Sequence, residues 1–88
     1  MKYYVYILKS EQFCRYYIGT THDLKLRLER HNSGRTVSTK RYVPWEIKYV
    51  EEYEDKRDAL RREREIKRRK SRVYIERLIN AGGRPVPK

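Results

Sequence analysis

A single cysteine, Cys14, stands among 88 residues, and one thiol closes no internal disulfide. It fits a reducing compartment, and a cytoplasmic protein is expected. With only His22 and His31 beside it, ligands for a structural zinc site are too few. Long apolar runs are missing as well. No stretch approaches the roughly 20 apolar residues of a membrane span, and Met1-Lys2-Tyr3 enters strand-like sequence at once, so neither an anchor nor a secretory leader is expected. Acidic residues are scarce: 12 Asp and Glu stand against 23 Lys and Arg, for a formal net charge of +11. The excess is uneven, with 10 basic and 6 acidic side chains in residues 1–53 (+4) and 13 and 6 in residues 54–88 (+7). Such a field favours polyanions through release of phosphate counterions, which makes nucleic acid the expected partner. An anionic membrane suits it less, because the basic segment has only a sparse apolar face.

A chain this short buries only roughly 60–65% of its unfolded surface, so its core is thin. One domain over residues 1–80 with a frayed tail at 81–88 is expected; the tail is rich in glycine and proline, and no internal repeat or linker divides the rest. Tyrosine fills much of the aromatic space. Residues 3–8 (YYVYIL) and 16–18 (YYI) read as the arms of a hairpin around a loop at 10–15, with Gly19 ending the second arm. Alternation puts Tyr4, Tyr6 and Leu8 on one face and Tyr3, Val5 and Ile7 on the other, so Tyr6 and Tyr17 can lie side by side.

Asp23 is a good N-cap and Asn32-Ser33-Gly34 a good stop, which places a helix at about 23–32. Leu24, Leu28 and His31 form its apolar stripe, and Arg27 stands one turn before His31 on the same side. Residues 33–44 read as a basic loop closed by Pro44. Residues 45–53 (WEIKYVEEY) alternate, with Trp45, Ile47, Tyr49 and Tyr53 on one face of a half-buried strand and Glu46, Lys48 and Glu52 outward. Asp55 begins a helix running to about Arg69, and Ser71 caps a last one to about Asn80. On the former, Ala59, Glu63 and Ile66 share a stripe that Glu65 avoids. A carboxylate on an inner face must be paired or bind a cation. Periodicity leaves an ion pair (Arg62, Lys67 or Arg27) and a metal ligand equally open. Residues 61–72 carry eight basic side chains against two acidic ones, a run whose sign matches the whole chain.

Taken together, Tyr4-Val5-Tyr6, Tyr17-Ile18-Gly19, Arg27-x-x-x-His31 and Ala59-x-x-x-Glu63-x-x-x-Lys67 resemble the GIY-YIG nuclease superfamily, in particular its small single-domain bacterial members. The similarity covers about residues 2–79. Tyr4 departs from the first glycine of the family name, at a position that does not carry the motif's hydroxyl. The resemblance implies an α+β fold, a small three-stranded antiparallel sheet flanked by helices. It also implies hydrolysis of DNA phosphodiester bonds with one divalent ion, Mg²⁺ or Mn²⁺. Carried over by position, it makes Tyr6, Tyr17, Arg27 and His31 the catalytic set and Glu63 the metal ligand.

These groups suit the reaction, since attack on phosphate builds negative charge that cations must meet. One carboxylate is a weak cage, which agrees with Mg²⁺ keeping waters and borrowing substrate oxygens. Tyrosine starts near pKa ~10, so Tyr6 works as a base only if its surroundings favour the phenolate; His31 stays open as the alternative. Lys40, Arg41, Lys67 and Arg68 would grip the strand by its phosphates. The competing reading is a nucleic-acid-binding module of the same fold with little or no turnover. DNA or RNA, and monomer or weak dimer, stay open.

Overall fold

The computed structural model describes residues 1–81, so the expected tail at 82–88 lies outside the described residues. The elements run β1 (Tyr3–Ser10), β2 (Tyr16–Thr21), α1 (Leu24–Asn32), a 3₁₀ turn (Lys40–Tyr42), β3 (Trp45–Tyr53), α2 (Lys56–Arg69) and α3 (Arg72–Asn80). The strands form one antiparallel sheet in the order β2-β1-β3. This is the α+β architecture the sequence implies. Each helix begins where a capping side chain requires it. Asp23 accepts from the Leu26 amide, Asp55 from Arg57 and Ser71 from Tyr74, each satisfying an N–H left free in the first turn. Among the described residues no helix is long and apolar enough to cross a membrane.

Side-chain alternation along β1 divides the core in two. Tyr6 and Leu8 pack with Leu24, Trp45 and Val50 under α1. Val5 packs with Ala59 and Ile66 on the other face, with Ile18, Tyr53 and Tyr74 around them. α2 and α3 therefore cover the face that α1 does not.

Three expectations need correction. β2 does not end at Gly19 but pairs on through Thr20 opposite Val5 and Thr21 opposite Tyr4, because cross-strand bonds to β1 carry the ladder past the glycine. The 33–44 segment contains a 3₁₀ turn, held by amide bonds from Lys40 to Thr36 and from Tyr42 to Thr39. The strand at 45–53 does not keep one face. Ile7 pairs with Tyr49 and Leu8 with Ile47, so Lys48 is an extra residue, a β-bulge. Trp45 and Ile47 thus join the α1 side while Tyr53 joins the α2 side. On that second side, Glu51 accepts from the hydroxyls of Tyr49 and Tyr53 and from Nε of Arg62 at 3.0 Å.

Candidate active site

Tyr6 lies opposite Gly19 in the β1–β2 ladder, and its ring covers that glycine. A Cβ on Gly19 would sit 2.5 Å from the Tyr6 hydroxyl and 2.7 Å from Cζ, so the absence of a side chain makes room for the phenol. Tyr17, one diagonal step along the same face, brings its ring centroid to 6.2 Å from that of Tyr6 and 4.7 Å from His31. Both rings meet α1, whose 3.6-residue period aims Arg27 and His31 at the sheet. Arg27 donates from Nε to the Tyr6 hydroxyl at 3.3 Å, and that hydroxyl lies 3.2 Å from Nε2 of His31.

The direction of these bonds follows from the far end. Thr39 donates its hydroxyl to the Thr36 carbonyl at 3.3 Å, so its oxygen accepts from Nδ1 of His31 at 2.9 Å. The imidazole proton is thereby assigned to Nδ1, and Nε2 is left to accept the Tyr6 proton. Burial, then the nearby Arg27 charge, lowers the His31 pKa and keeps the ring neutral. Burial also pushes the Tyr6 hydroxyl up to about 12, against the hydrogen bond and charge of Arg27. A resting phenolate is therefore disfavoured, because burial outweighs the cation. Arg27 is raised by its bond to Tyr6 and has no carboxylate partner among the described residues, so its remaining N–H groups can take an anion.

Glu63 reaches the site from the opposite helix layer. From α2 it accepts the Thr20 hydroxyl at 2.5 Å, one residue beyond Gly19 on the edge strand. Its second oxygen takes Nζ of Lys67 at 2.7 Å. Of the ion pairs left open by the sequence, Lys67 makes this one, while Arg62 is bound to Glu51. The Glu63 side chain is 18% exposed, against 57% for Glu65, as the stripe requires. It makes no hydrogen bond to Tyr6, Tyr17, Arg27 or His31, but its charge raises the pKa of both Tyr6 and Arg27.

The expected phosphate contacts divide. Lys67 stands beside Glu63. Lys40 and Arg41 are exposed on the turn directly after Thr39. Arg68 lies elsewhere, lining a hollow with Arg62, Arg69 and Tyr74. Sequence reasoning missed Thr39 and Thr20, the two hydroxyls that orient His31 and Glu63. Their neighbours show no periodicity that marks them.

Among the described residues no three His, Cys, Asp or Glu side chains converge. One carboxylate with a hydroxyl beside it still fits a hard cation that retains water and completes its shell from substrate oxygens. The lysine now on Glu63 is half-exposed.

A family model described as the GIY-YIG catalytic domain matches residues 2–77. A UPF0213 protein of Staphylococcus aureus is 39% identical over 80 residues, covering 85% of this chain and 96% of its own. UPF0213 protein YazA of Bacillus subtilis is 31% identical over 83 residues, 90% and 83% of the two chains. The solution NMR structure of a UPF0213 protein from Bacillus halodurans superposes with a TM-score of 0.59 at 32% identity, covering 97% of this chain and 89% of that one.

Proposed function

The chain belongs to the GIY-YIG catalytic-domain family, and from that premise we propose that it is a divalent-metal-dependent endonuclease hydrolysing phosphodiester bonds in DNA. The observation that carries this reading is the Tyr6 hydroxyl, held between the Arg27 guanidinium and a neutral His31 nitrogen at 3.3 and 3.2 Å. A hydroxyl so placed passes a proton on without having to be a phenolate beforehand.

In the proposed reaction Arg27 turns its free N–H groups to a nonbridging oxygen of the phosphate. The attacking water donates to the second lone pair of the Tyr6 hydroxyl oxygen, beside the Arg27 Nε bond. As the water oxygen bonds to phosphorus, its proton passes to Tyr6 and the Tyr6 proton passes to Nε2 of His31. The bond from phosphorus to the leaving oxygen breaks, and that oxygen takes a proton from solvent. The Nδ1–H bond to Thr39 holds the imidazole in place while it is charged. Tyr17 confines the water against the Tyr6 ring. Glu63, steadied by Thr20, would hold Mg²⁺ or Mn²⁺, which supplies further neutralisation of phosphate charge. Lys40, Arg41 and Lys67 hold neighbouring phosphates and set register without reading bases.

The competing reading, a binding module without turnover, draws on the Lys67 ion pair that occupies Glu63. Incubation of the protein with plasmid and with single-stranded DNA, in Mg²⁺, Mn²⁺ or EDTA, separates the two. Cleavage that requires either metal supports the nuclease; retention of DNA without cleavage in any condition leaves the module.

A further inference from the structure

A hollow of about 300 Å³ opens where α1, α2 and the end of β2 meet. Its wall includes Leu26 and Leu60, which are 44% and 38% exposed, with Tyr3 beside them. Neither leucine is used by either core cluster. Arg30 and Lys56 stand in the same wall, both exposed and with no carboxylate partner among the described residues. The acid in the hollow, Asp23, is exposed and engages one carboxylate oxygen in capping α1 through the Leu26 amide at 3.0 Å, so the two cations outnumber it. Exposed His22 adds no acidic charge. Arg27 links the hollow to the Tyr6 hydroxyl. An apolar wall with a cationic rim is therefore set one side chain away from the candidate reacting centre.

That pairing of surfaces is specific about its occupant. A phosphate would satisfy Arg30 and Lys56 but leave both leucines wet. An apolar ligand would leave the cations unused. A nucleotide unit offers both chemistries, and the hollow lies at the lower end of the roughly 300–1,000 Å³ typical of ligand pockets. A base stacked inside a duplex cannot enter it; an unpaired one can, and apolar or aromatic contact with an unstacked base tolerates any sequence.

We propose that this hollow binds the nucleotide adjoining the phosphate to be cut, base against Leu26 and Leu60 and phosphate between Arg30 and Lys56. The substrate is then a nucleic-acid strand unpaired at that position. The adjacency to a cut phosphate rests on the nuclease reading; the nucleotide site itself does not.

The test is therefore a binding measurement in EDTA, where nothing is cleaved, using fluorescence anisotropy of a labelled single-stranded oligonucleotide and its duplex. Arg30→Ala with Lys56→Ala should weaken single-strand binding about tenfold and reduce the log–log salt slope by about 0.7, the loss of one phosphate contact. The same charge removal at Lys9 and Lys48, which border a different hollow, should do distinctly less. Leu26→Asn with Leu60→Asn keeps every charge and changes only exposed side chains, so melting should stay close to that of the parent. It should weaken single-strand binding about fivefold, within the range for losing contact with one base, and leave duplex binding unchanged. The proposal is overturned if the leucine pair affects both ligands alike or neither, or if the hollow's cations matter no more than the control pair. Cleavage is scored separately with Mg²⁺. Absence of cleavage alongside the expected binding pattern removes the nuclease reading and keeps the nucleotide site.

Discussion

The hydroxyl of Tyr6 lies 3.2 Å from Nε2 of His31, and Nδ1 of the same ring lies 2.9 Å from Thr39, so a loop threonine fixes the tautomer on which the phenol depends. This relation has a pH signature. Burial and Arg27 lower the His31 pKa from 6.5 in the folded state, so the unfolded chain binds that proton more readily. Stability from this group is complete above the unfolded value and is lost as pH falls through the folded one. Denaturant midpoints measured between about pH 7.5 and 5.0 should fall more steeply with acid in the parent than in His31→Gln. Parallel curves would remove the neutral, buried imidazole from the account.

Gly19 is required by its neighbour rather than by its own backbone. Gly19→Ala sets a Cβ 2.5 Å from the Tyr6 hydroxyl and 3.0 Å from Tyr17 Cε2, and Tyr6 is only 1% exposed and cannot move aside freely. Overpacking of this kind costs about 1–3 kcal/mol. Chemical denaturation should show that loss for Gly19→Ala and a smaller one when Tyr6→Phe is added, since the closest clashing atom is then gone.

Much of this geometry was legible in the chain, and for local reasons. Asp23, Asp55 and Ser71 announce their helices because a cap acts on amides two or three residues away. Glu63 was recognisable as inward-facing because a helix repeats every 3.6 residues. The bulge at Lys48 was not legible: an inserted residue leaves apolar and polar side chains alternating as before while changing which face they meet. Nor did sequence tell that Lys67, rather than Arg62, holds Glu63. That choice is settled by Glu51 on β3, which captures Arg62 from across the fold. The Tyr6 base question turned on burial, which a single sequence does not contain.

Glu51 anchors the face away from the site. Burial opposes its ionisation, but hydrogen bonds from Arg62, Tyr49 and Tyr53 outweigh that and hold its pKa below the usual carboxylate value. Its stabilisation is present above the ordinary glutamate pKa and is lost as pH falls through the lowered one. Glu51→Gln should cost about 1–3 kcal/mol at neutral pH in urea unfolding, because Arg62 loses its ionised acceptor. It should leave DNA binding near that of the parent.

Lys67 competes for the carboxylate that a cation would need. Lys67→Met frees Glu63 of a partly exposed i,i+4 pair worth about 0.3–0.5 kcal/mol. The Mn²⁺ concentration for half-maximal cleavage should fall by about twofold, a shift that Lys67's role as a phosphate contact does not produce. A higher requirement would contradict the metal assignment of Glu63.

The most direct test compares Tyr6→Phe and Glu63→Gln with the parent in single-turnover cleavage with Mn²⁺, while DNA affinity is measured in EDTA. If the phenol relays the proton and the acid holds the metal, each variant should cut at least about 100-fold more slowly with affinity nearly unchanged. Parent-like rates in either variant, or rate losses matched by equal losses of affinity, would contradict a hydrolytic centre built on these residues.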